Sequence, residues 1–357
     1  MNEIFQKSIE PGSSFDDYLL RPGYSDFTPD RASLRSELAP GLTLELPILS
    51  AAMDTVSEGK MGAAMARAGG CAVIHKNLPP ARQAEEVAFV KSSGGIVAAA
   101  VGVGEKEIDR AKLLVDSGAD ALVVDTAHGH SKGVGDTVAA LRKLYPKLTI
   151  IAGNVATAEG ALFLESAGAS VIKVGMGPGS ICTTRLVSGC GVPQLYAIYD
   201  AVRALEGRIP VIADGGIRSS GDVVKAIAAG ASAVMLGSML AGTDEAPGNI
   251  IDIDGKKYKN YRGMGSKAAM KLGSADRYGQ GKFEEKKRVA EGVESLLPCK
   301  GAVGAILDEL AGGLRIGMGY VGAHNIAELW AKSRFEKISA TSIAENKPHV
   351  FGVGIGK

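Results

Sequence analysis

The sequence is poor in cysteine, in aromatic residues and in net charge. Its 357 residues include four cysteines, one tryptophan and 5% aromatic residues in all, and the formal net charge at pH 7 is +1. Proteins that bind nucleic acids carry a basic stripe or an aromatic stacking platform, so no nucleic acid is expected as a partner. The ligand should instead be a small molecule.

A zinc site and a disulfide framework are not expected either. Cys71, Cys182, Cys190 and Cys299 form no CxxC pair, which argues against a zinc site. So few cysteines fit a reducing compartment, and we expect a cytoplasmic location.

A leader sequence and a membrane span are also not expected. Residues 1–10 lack a basic segment followed by an apolar one. The longest uncharged run, Ala226 to Thr243, contains three glycines and two serines. This composition is typical of a buried helix end, a turn and a strand rather than a membrane helix.

Short apolar runs recur along the chain and alternate with helix-like segments. The eight runs are Pro47–Met53, Cys71–Ile74, Ile96–Val101, Ala121–Val124, Thr149–Ala152, Ser170–Val174, Ile209–Ala213 and Ala231–Leu236. The helix-like segments include Glu105–Ser117, Ala158–Ala167, Tyr196–Leu205 and Ser220–Ala229, and several end in a Gly-Ala pair, a signal for a helix end. Eight buried strands alternating with helices predict a (β/α)8 TIM barrel. We expect one catalytic domain over residues 1–357, although the length alone also allows two.

Polar residues and glycines follow the predicted strands, where this fold carries its chemistry. They are Asp54 and Thr55 after the first run, Asp125 and Thr126 after the fourth, Asn154 after the fifth, Cys182 after the sixth, Asp214, Gly215 and Gly216 after the seventh, and Gly237 and Ser238 after the eighth. The loops after the last two strands often hold a phosphate.

One glycine-rich loop is the strongest candidate for chemistry. Lys173 to Arg185 reads KVGMGPGSICTTR, so an apolar strand leads into a loop that presents Cys182 among hydroxyl groups. A thiol can attack an electrophilic carbon, and glycines allow a substrate to approach the backbone closely. From the residues alone, a buried structural cysteine in a tight turn is the alternative.

The segment 252–300 interrupts the pattern after the eighth strand. It is polar and charged and contains seven glycines. A long excursion within a compact domain is usually a functional lid or a disordered segment, and we favour a mobile lid, here called the flap. Its charged stretch, residues 282–288, is most simply a solvated face.

These residues resemble the inosine 5′-monophosphate (IMP) dehydrogenase family over nearly the whole chain. The resemblance rests on Phe15-Asp16-Asp17, Ser50 to Thr55 (SAAMDT), Ile74 to Asn77 (IHKN), the cysteine loop, Ala213 to Arg218 (ADGGIR), Leu236-Gly237-Ser238, Tyr261 to Ser266 (YRGMGS) and Asp276-Arg277-Tyr278. The guanosine monophosphate (GMP) reductases share most of these motifs but are less similar in the flap.

The resemblance implies that NAD oxidises IMP to xanthosine monophosphate (XMP). Cys182 would add to C2 of the purine, a hydride would leave to the nicotinamide, and the covalent adduct would then be hydrolysed, which replaces one difficult displacement with two easier steps. Arg277 and Tyr278 of the flap would activate water in the vacated nicotinamide site, with Thr184 and Glu291 as an auxiliary proton path.

The residues by themselves give the flap pair a plainer interpretation. An arginine is protonated in proteins, so it would act as a base only in a closed, dry site. Without the resemblance, Arg277 would be a surface cation paired with Asp276, and Tyr278 a packing residue.

A substrate site also follows from the resemblance. The residues that would hold the substrate phosphate through amides and hydroxyls are Ser180, Gly216, Gly237, Ser238 and Tyr261. Asp214 would accept hydrogen bonds from the ribose hydroxyls, although the residues alone also allow it to cap the next helix. Met264, Gly265 and Glu291 would contact the hypoxanthine base.

Two further ligands and an assembly are implied in the same way. NAD would contact Asp125, Thr126 and Asn154. A potassium ion would be held by the backbone carbonyls of Gly177, Gly179 and Cys182, with a share from a neighbouring subunit that the tail 348–354 does not let us assign. The family implies a homotetramer.

A second glycine pattern carries no function in this interpretation. The sequence GxGxxG occurs at Gly317, Gly319 and Gly322, but it follows the helix-like stretch Ala305–Leu310 instead of opening a β/α unit. We interpret it as a loop and not as a Rossmann dinucleotide site.

One departure from the family is large. Relatives usually carry a pair of regulatory nucleotide-binding CBS modules after the second helix, whereas here residues 91–95 (KSSGG) form a short linker into the third strand. The linker is either a natural loop or the mark of an engineered deletion, and its composition favours a deletion. Regulation by nucleotides bound to those modules should be lost, while catalysis should be retained.

Three functions therefore stay open. The first is the dehydrogenase. The second is the reductase, which converts GMP and NADPH to IMP and ammonia and does not need the pair Arg277 and Tyr278, so the pair favours the dehydrogenase. The third is a catalytically silent nucleotide-binding barrel, which the candidate nucleophile Cys182 disfavours.

Overall fold

A closed barrel of eight parallel strands forms the centre of the computed structural model, which describes residues 9–346. The strands of the chain are β1 (Tyr18–Leu20), β2 (Ser36–Ala39), β3 (Leu42–Leu44), β4 (Ile48–Ser50), β5 (Cys71–Ile74), β6 (Val97–Val101), β7 (Ala121–Asp125), β8 (Thr149–Val155), β9 (Val171–Val174), β10 (Val211–Asp214), β11 (Ala233–Leu236), β12 (Ile251–Ile253), β13 (Lys256–Arg262), β14 (Glu294–Pro298) and β15 (Phe335–Lys337). Strands β4 to β11 form the barrel in chain order, and β11 closes it against β4 with Leu236 opposite Ser50. The predicted (β/α)8 barrel is confirmed.

Helices alternate with the barrel strands. They are α1 (Gly59–Arg67), α2 (Pro80–Ser92), α3 (Glu105–Asp116), α4 (Lys132–Leu144), α5 (Ala158–Ser166), α6 (Thr184–Ser188), α7 (Gln194–Leu205), α8 (Ser220–Ala228), α9 (Lys267–Leu272), α10 (Val303–Val321) and α11 (Ile326–Lys332). Side-chain caps fix some of the starts: Ser219 accepts a hydrogen bond from the Asp222 amide at 3.3 Å and begins α8. None of the helices within residues 9–346 is long and apolar enough to cross a membrane.

The barrel strands are buried on both sides. Side chains such as Leu49 and Val73 fill the barrel interior, whereas their neighbours Ile48 and Ile74 pack with the helices. This alternation is the two-residue period of a β-strand, and it explains why the strands read as continuous apolar runs.

One end of the barrel is covered by the β2–β3 hairpin. Leu38 and Leu42 of the hairpin belong to the same inner cluster as the barrel residues. The Ser36 hydroxyl donates a hydrogen bond to the carbonyl of Ser232, just before β11, at 2.6 Å. The hairpin therefore lies at the N-terminal end of the barrel, and the loops after the strands lie at the other end.

The flap has a defined fold. Strands β12, β13 and β14 form an antiparallel sheet in which Tyr258 lies opposite Pro298 and Arg262 opposite Glu294. The chain between β13 and β14 contains α9 and two short 3-10 helices, Ser274–Tyr278 and Glu285–Lys287. Sequence patterns predicted a lid but not these elements.

The prediction that the GxGxxG pattern is a loop is wrong. Gly317 and Gly319 lie inside α10, and Gly322 ends the helix in a left-handed conformation with φ 77°. A side chain at Gly317 would come within 2.6 Å of Val224 in α8, and one at Gly319 within 2.9 Å of Pro29. These glycines allow close packing of α10, a long-range cause that the local pattern does not reveal.

The predicted linker at residues 91–95 includes the end of α2, which runs to Ser92, and a short turn that leads toward β6. Gly94 has φ 74°, and the amide of Gly95 donates to the carbonyl of Val90 at 3.3 Å. A left-handed glycine with such a backbone bond is a usual helix ending. The connection thus ends α2 in an ordinary turn.

Candidate active site

Loops from both halves of the barrel and the flap enclose one cavity at the C-terminal ends of the strands. Among the sequence-predicted residues, those that line it are Asp125, Asn154, Gly177, Gly179, Cys182, Thr184, Asp214, Gly216, Gly237, Ser238, Tyr261, Met264, Arg277, Tyr278 and Glu291. Three predicted residues do not line it: Ser180 lies beside Tyr261, the Thr126 hydroxyl donates to the carbonyl of Gly153 in β8, and Gly265 lies against the Tyr278 ring. The barrel explains this convergence, because every strand delivers its following loop to the same end.

Cys182 lies half-buried in this cavity. Its Sγ is 3.1 Å from the hydroxyl oxygen of Thr184. The adjacent backbone pairs with the flap, since the Thr183 amide donates to the carbonyl of Glu291 at 3.0 Å and the Val293 amide to that of Ile181 at 3.1 Å. The thiol is therefore accessible from the cavity and fixed relative to the flap.

Cys71 shows what a structural cysteine looks like in the same chain. It is fully buried in β5, and burial raises the pKa of its thiol to about 12. Such a thiol stays protonated and unreactive. Cys182 differs because it opens into the cavity, which disfavours the structural alternative.

Hydroxyl groups and glycines gather at one side of the cavity. Burial raises the pKa of the Tyr261 hydroxyl, and the neighbouring side chains of Ser180 and Ser238 counteract this shift in part. A side chain at Gly237 would lie 3.2 Å from that tyrosine oxygen. Gly216, with φ 79°, turns the chain after β10 toward the same place. Neutral donors of this kind can bind a phosphate dianion.

A buried lysine links two predicted ligand-binding carboxylates. The Lys173 ammonium donates to Asp125 at 2.9 Å and to Asp214 at 2.7 Å, and also to the side-chain carbonyl of Asn154. The Lys173 side chain is 1% exposed. Sequence reasoning missed this residue, although a charged side chain in the otherwise apolar strand β9 was the signal.

The alternative role of Asp214 as a helix cap is wrong. Helix α8 begins after Ser219, which supplies the cap. The Asp214 carboxylate instead faces Lys173 and the side-chain amide of Asn154, whose Nδ2 donates to it at 2.9 Å. It lines the cavity at the end of β10.

Arg277 reaches from the flap into the barrel mouth. Its guanidinium donates to both carboxylate oxygens of Asp125 at 3.1 Å, and its side chain is 14% exposed. The alternative of a surface pair with Asp276 is therefore wrong, because Asp276 pairs with Lys76 at 2.7 Å.

These charges shift the proton equilibria of the flap pair and its partner. Burial alone would lower the pKa of Arg277, but Asp125 and the weaker contributions of Tyr278, Asp214 and Cys182 together outweigh burial and raise the pKa. Burial would raise the pKa of Asp125, yet Arg277 and then Lys173 hold it below 3.8. Burial raises the pKa of Tyr278 to about 12, so the phenol is neutral. In this conformation the cations Lys173 and Arg277 face the carboxylates of Asp125 and Asp214.

The residues predicted to contact the base belong to the flap itself and face the cavity or the residues that line it. The backbone carbonyl of Gly265 accepts a hydrogen bond from the backbone amide of Glu291 at 2.9 Å. A side chain at Gly265 would come within 2.8 Å of the Tyr278 ring. The glycine thus lets that ring lie against the backbone, while Met264 and Glu291 line the cavity.

The other predicted ligand residues take distinct positions. Thr126 is buried and its hydroxyl donates to the carbonyl of Gly153 at 2.9 Å, away from the cavity. The carbonyl of Gly179 accepts the Cys182 amide at 3.1 Å, which draws the predicted potassium ligands into one turn with Gly177. The tail 348–354, considered for the ion's other ligands, lies outside the described residues.

Comparisons with known proteins agree with this geometry. A sequence model described as "IMP dehydrogenase / GMP reductase domain" matches residues 12–349. Proteins named inosine-5′-monophosphate dehydrogenase are similar throughout: those of Streptococcus pyogenes and Aquifex aeolicus are 40% identical over 96% of both chains, and that of Rhizobium tropici is 38% identical over 94% of this chain and 93% of the relative. The Streptococcus alignment spans 473 positions, more than the 357 residues here, so the relative contains residues without a counterpart.

Proposed function

The chain belongs to the IMP dehydrogenase / GMP reductase family, and from that premise we propose that it oxidises IMP to XMP with NAD, a step in guanine nucleotide synthesis. The observation that carries the proposal is the insertion of Arg277 and Tyr278 into the cavity that contains Cys182. A reductase releases ammonia and has no need of a water-activating pair, whereas a dehydrogenase must hydrolyse its adduct.

The reaction balances with Cys182 as nucleophile. Its thiolate forms a bond to C2 of IMP, and the hydrogen on C2 then leaves with its electron pair. NAD, when bound, supplies the acceptor for that hydride. A water oxygen next bonds to C2 and the C2–sulfur bond breaks, so IMP, NAD and water give XMP, NADH and one proton.

The chain's own groups suit the binding of IMP. The phosphate would lie at the hydroxyls of Ser180, Ser238 and Tyr261 and the amides of Gly216 and Gly237. The carboxylate of Asp214, held by Lys173, would accept the ribose hydroxyls. Met264, Gly265 and Glu291 would flank the base.

The residues also fit NAD and a monovalent cation. Asp125 and Asn154 offer a carboxylate and an amide at the mouth, which suit ribose hydroxyls, with Thr126 behind them. Potassium prefers carbonyl oxygen ligands, and Gly177, Gly179 and Cys182 would supply three from one turn. The ion would keep the cysteine loop in shape.

Competition for Asp125 gives the reaction its order. In this structure the carboxylate pairs with Arg277, so NAD binding at Asp125 requires the flap to withdraw. Once NADH leaves, the flap can return and bring Arg277 and Tyr278 to the adduct. While paired with Asp125, Arg277 has a raised pKa and is a cation, so accepting a proton from water requires that pair to loosen. Thr184 and Glu291 would offer the second proton route.

An absorbance assay tests the proposal. NADH formation is followed with IMP, NAD and potassium, beside a parallel sample of GMP with NADPH. We expect NADH only in the first sample, and Cys182→Ala should lower that rate by more than about a thousandfold, as loss of a covalent nucleophile does, while IMP binding remains. Cys190→Ala, at an exposed cysteine, is the matched control and should keep full activity.

Two outcomes would replace the proposal. NADPH consumption in the GMP sample alone would make the protein a reductase. No reaction in either sample, with IMP still bound, would make it a binding barrel.

The single-domain organisation belongs to the same proposal. We expect residues 1–357 to act as one catalytic barrel in which residues 252–300 move as the flap. The extra length of the relatives supports an absent module pair at residues 91–95. A homotetramer is likewise proposed from the family alone.

A further inference from the structure

Two polar residues after β5 contact the flap but have no part in the reaction described above. The Lys76 ammonium donates to both carboxylate oxygens of Asp276, at 2.8 and 2.7 Å. The Lys76 side chain is 7% exposed and that of Asp276 is 42% exposed. Asn77 donates to the carbonyl of Ala269 in α9 at 3.3 Å. The loop after β5 thus holds the flap at two places.

We propose that Lys76 and Asp276 form a latch that holds the flap segment Ser274–Tyr278 closed, which makes Lys76 a positioning residue for Arg277. The proposal rests on the function proposed above and assigns the loop after β5 to control of the hydrolysis step. The latch favours the closed flap, and its opening admits NAD.

Backbone contacts explain how the latch positions Arg277. One carboxylate oxygen of Asp276 also accepts the Arg277 amide at 2.8 Å. The Arg277 carbonyl accepts the amide of Ala127, after β7, at 3.0 Å. Holding Asp276 therefore fixes the backbone from which the Arg277 guanidinium extends to Asp125.

Charge complementarity makes the docking specific. The flap presents the adjacent opposite charges of Asp276 and Arg277, and the barrel presents Lys76 and Asp125 in the matching order. Shifting the flap by one residue would bring like charges together. Docking of the flap in the observed register is therefore favoured over docking shifted by one residue in either direction.

The end of β6 leaves room for the latch. A side chain at Gly102 would lie 3.0 Å from a carboxylate oxygen of Asp276 and 3.2 Å from the Lys76 side chain. A glycine here lets the pair lie directly over the barrel rim, where the largely buried Lys76 is shielded from solvent.

Flap opening provides a test that needs no activity. Hydrogen–deuterium exchange of the flap peptide 266–280 is compared in wild type, Lys76→Met, Asp276→Asn and the double variant. Because a partly exposed ion pair is lost, we expect exchange about threefold to tenfold faster in each single variant. The double variant should exchange at the same rate as the single variants, since each single substitution already removes the same Lys76–Asp276 ion pair.

A matched control comes from a similar pair elsewhere. Lys91 donates to both carboxylate oxygens of Asp120 at 2.9 Å, without contact to the flap. Lys91→Met should leave exchange of peptide 266–280 unchanged, and Lys76→Arg should restore most of the protection. Equal exchange in Lys76→Met and wild type, or additive effects in the double variant, would overturn the latch.

Rapid-mixing kinetics links the latch to the chemistry. Hydride transfer precedes the return of the flap, so NADH should form in an initial burst if adduct breakdown is the slower step. In Lys76→Met and Asp276→Asn this first-turnover formation of NADH should be retained, while breakdown of the covalent adduct slows about threefold to tenfold. Loss of the burst together with turnover would show a merely structural role and overturn the proposal. A wild type that forms no NADH would contradict the dehydrogenase function, while the exchange result would still decide the latch.

Discussion

At the scale of single residues, the site is a set of charges brought together from distant parts of the chain. Cys182 and its loop could be predicted, because a glycine-rich stretch after an apolar strand is a local pattern. The Arg277–Asp125 pair could not, because it joins residues 152 positions apart. Residues alone favoured Asp276 as the partner of Arg277, since neighbours in sequence are the only contacts that a pattern displays.

Lys173 is the residue on which the paired charges depend most. The Lys173 side chain is 1% exposed in the folded chain. Replacing Lys173 with Met keeps a side chain of similar length but leaves the carboxylates of Asp125 and Asp214 without their ammonium partner. We expect the free energy of unfolding to fall by about 3–5 kcal/mol, as when one partner of a buried pair is removed. Urea denaturation measures it.

An exposed pair gives the control for that prediction. Lys132 pairs with Asp136 at 2.6 Å, but their side chains are 88% and 63% exposed. Lys132→Met should change the unfolding free energy by less than about 1 kcal/mol. Similar losses in both variants would mean that Lys173 stabilises by general charge and not by its two buried partners.

At the scale of elements, the strands and the flanking helices follow from periodicity, whereas the flap does not. β6 and β7 are wholly buried and appear as apolar runs. β13 consists mostly of polar residues and β14 is mostly exposed, so their pairing leaves little trace in the sequence. The α10 glycines do not form the predicted loop, because they allow packing against α8 at Gly317 and against Pro29 at Gly319.

That packing gives a matched pair of substitutions within one helix. Gly317→Val would push into Val224, since an added carbon there lies at 2.6 Å, and overpacking costs about 1–3 kcal/mol. Gly312→Ala meets nothing within 4 Å and should stabilise the helix by about 0.5–1 kcal/mol. Thermal unfolding followed by circular dichroism measures both, and a loss of stability in Gly312→Ala would contradict this account of α10.

At the scale of the whole molecule, the barrel gathers the loops and the flap closes over them. The relatives are longer, and the short connection after α2 is where the regulatory modules are expected to be missing. The sequence alone could indicate where modules are missing, because the motifs that resemble the family lie on both sides of residues 91–95 with only this short segment between the second helix and the third strand.

Nucleotide titration checks the consequence for regulation. Adenine and guanine nucleotides added at saturating IMP and NAD should leave the rate unchanged, because on the proposal made above a short connection at residues 91–95 takes the place of the module pair that would bind them. Competition with IMP or NAD is compatible with this expectation. Inhibition that neither substrate relieves would show a regulatory site within the barrel and contradict it.

The covalent role of Cys182 is the central claim, and mass spectrometry of the acid-quenched enzyme tests it most directly. Arg277→Ala is mixed with IMP, NAD and potassium, so that hydride transfer proceeds and hydrolysis is slow. We predict one purine nucleotide adduct on the peptide containing Cys182, dependent on both substrates and absent in Cys182→Ala. NADH formation without an adduct, or an adduct on Cys71, Cys190 or Cys299, would contradict the account.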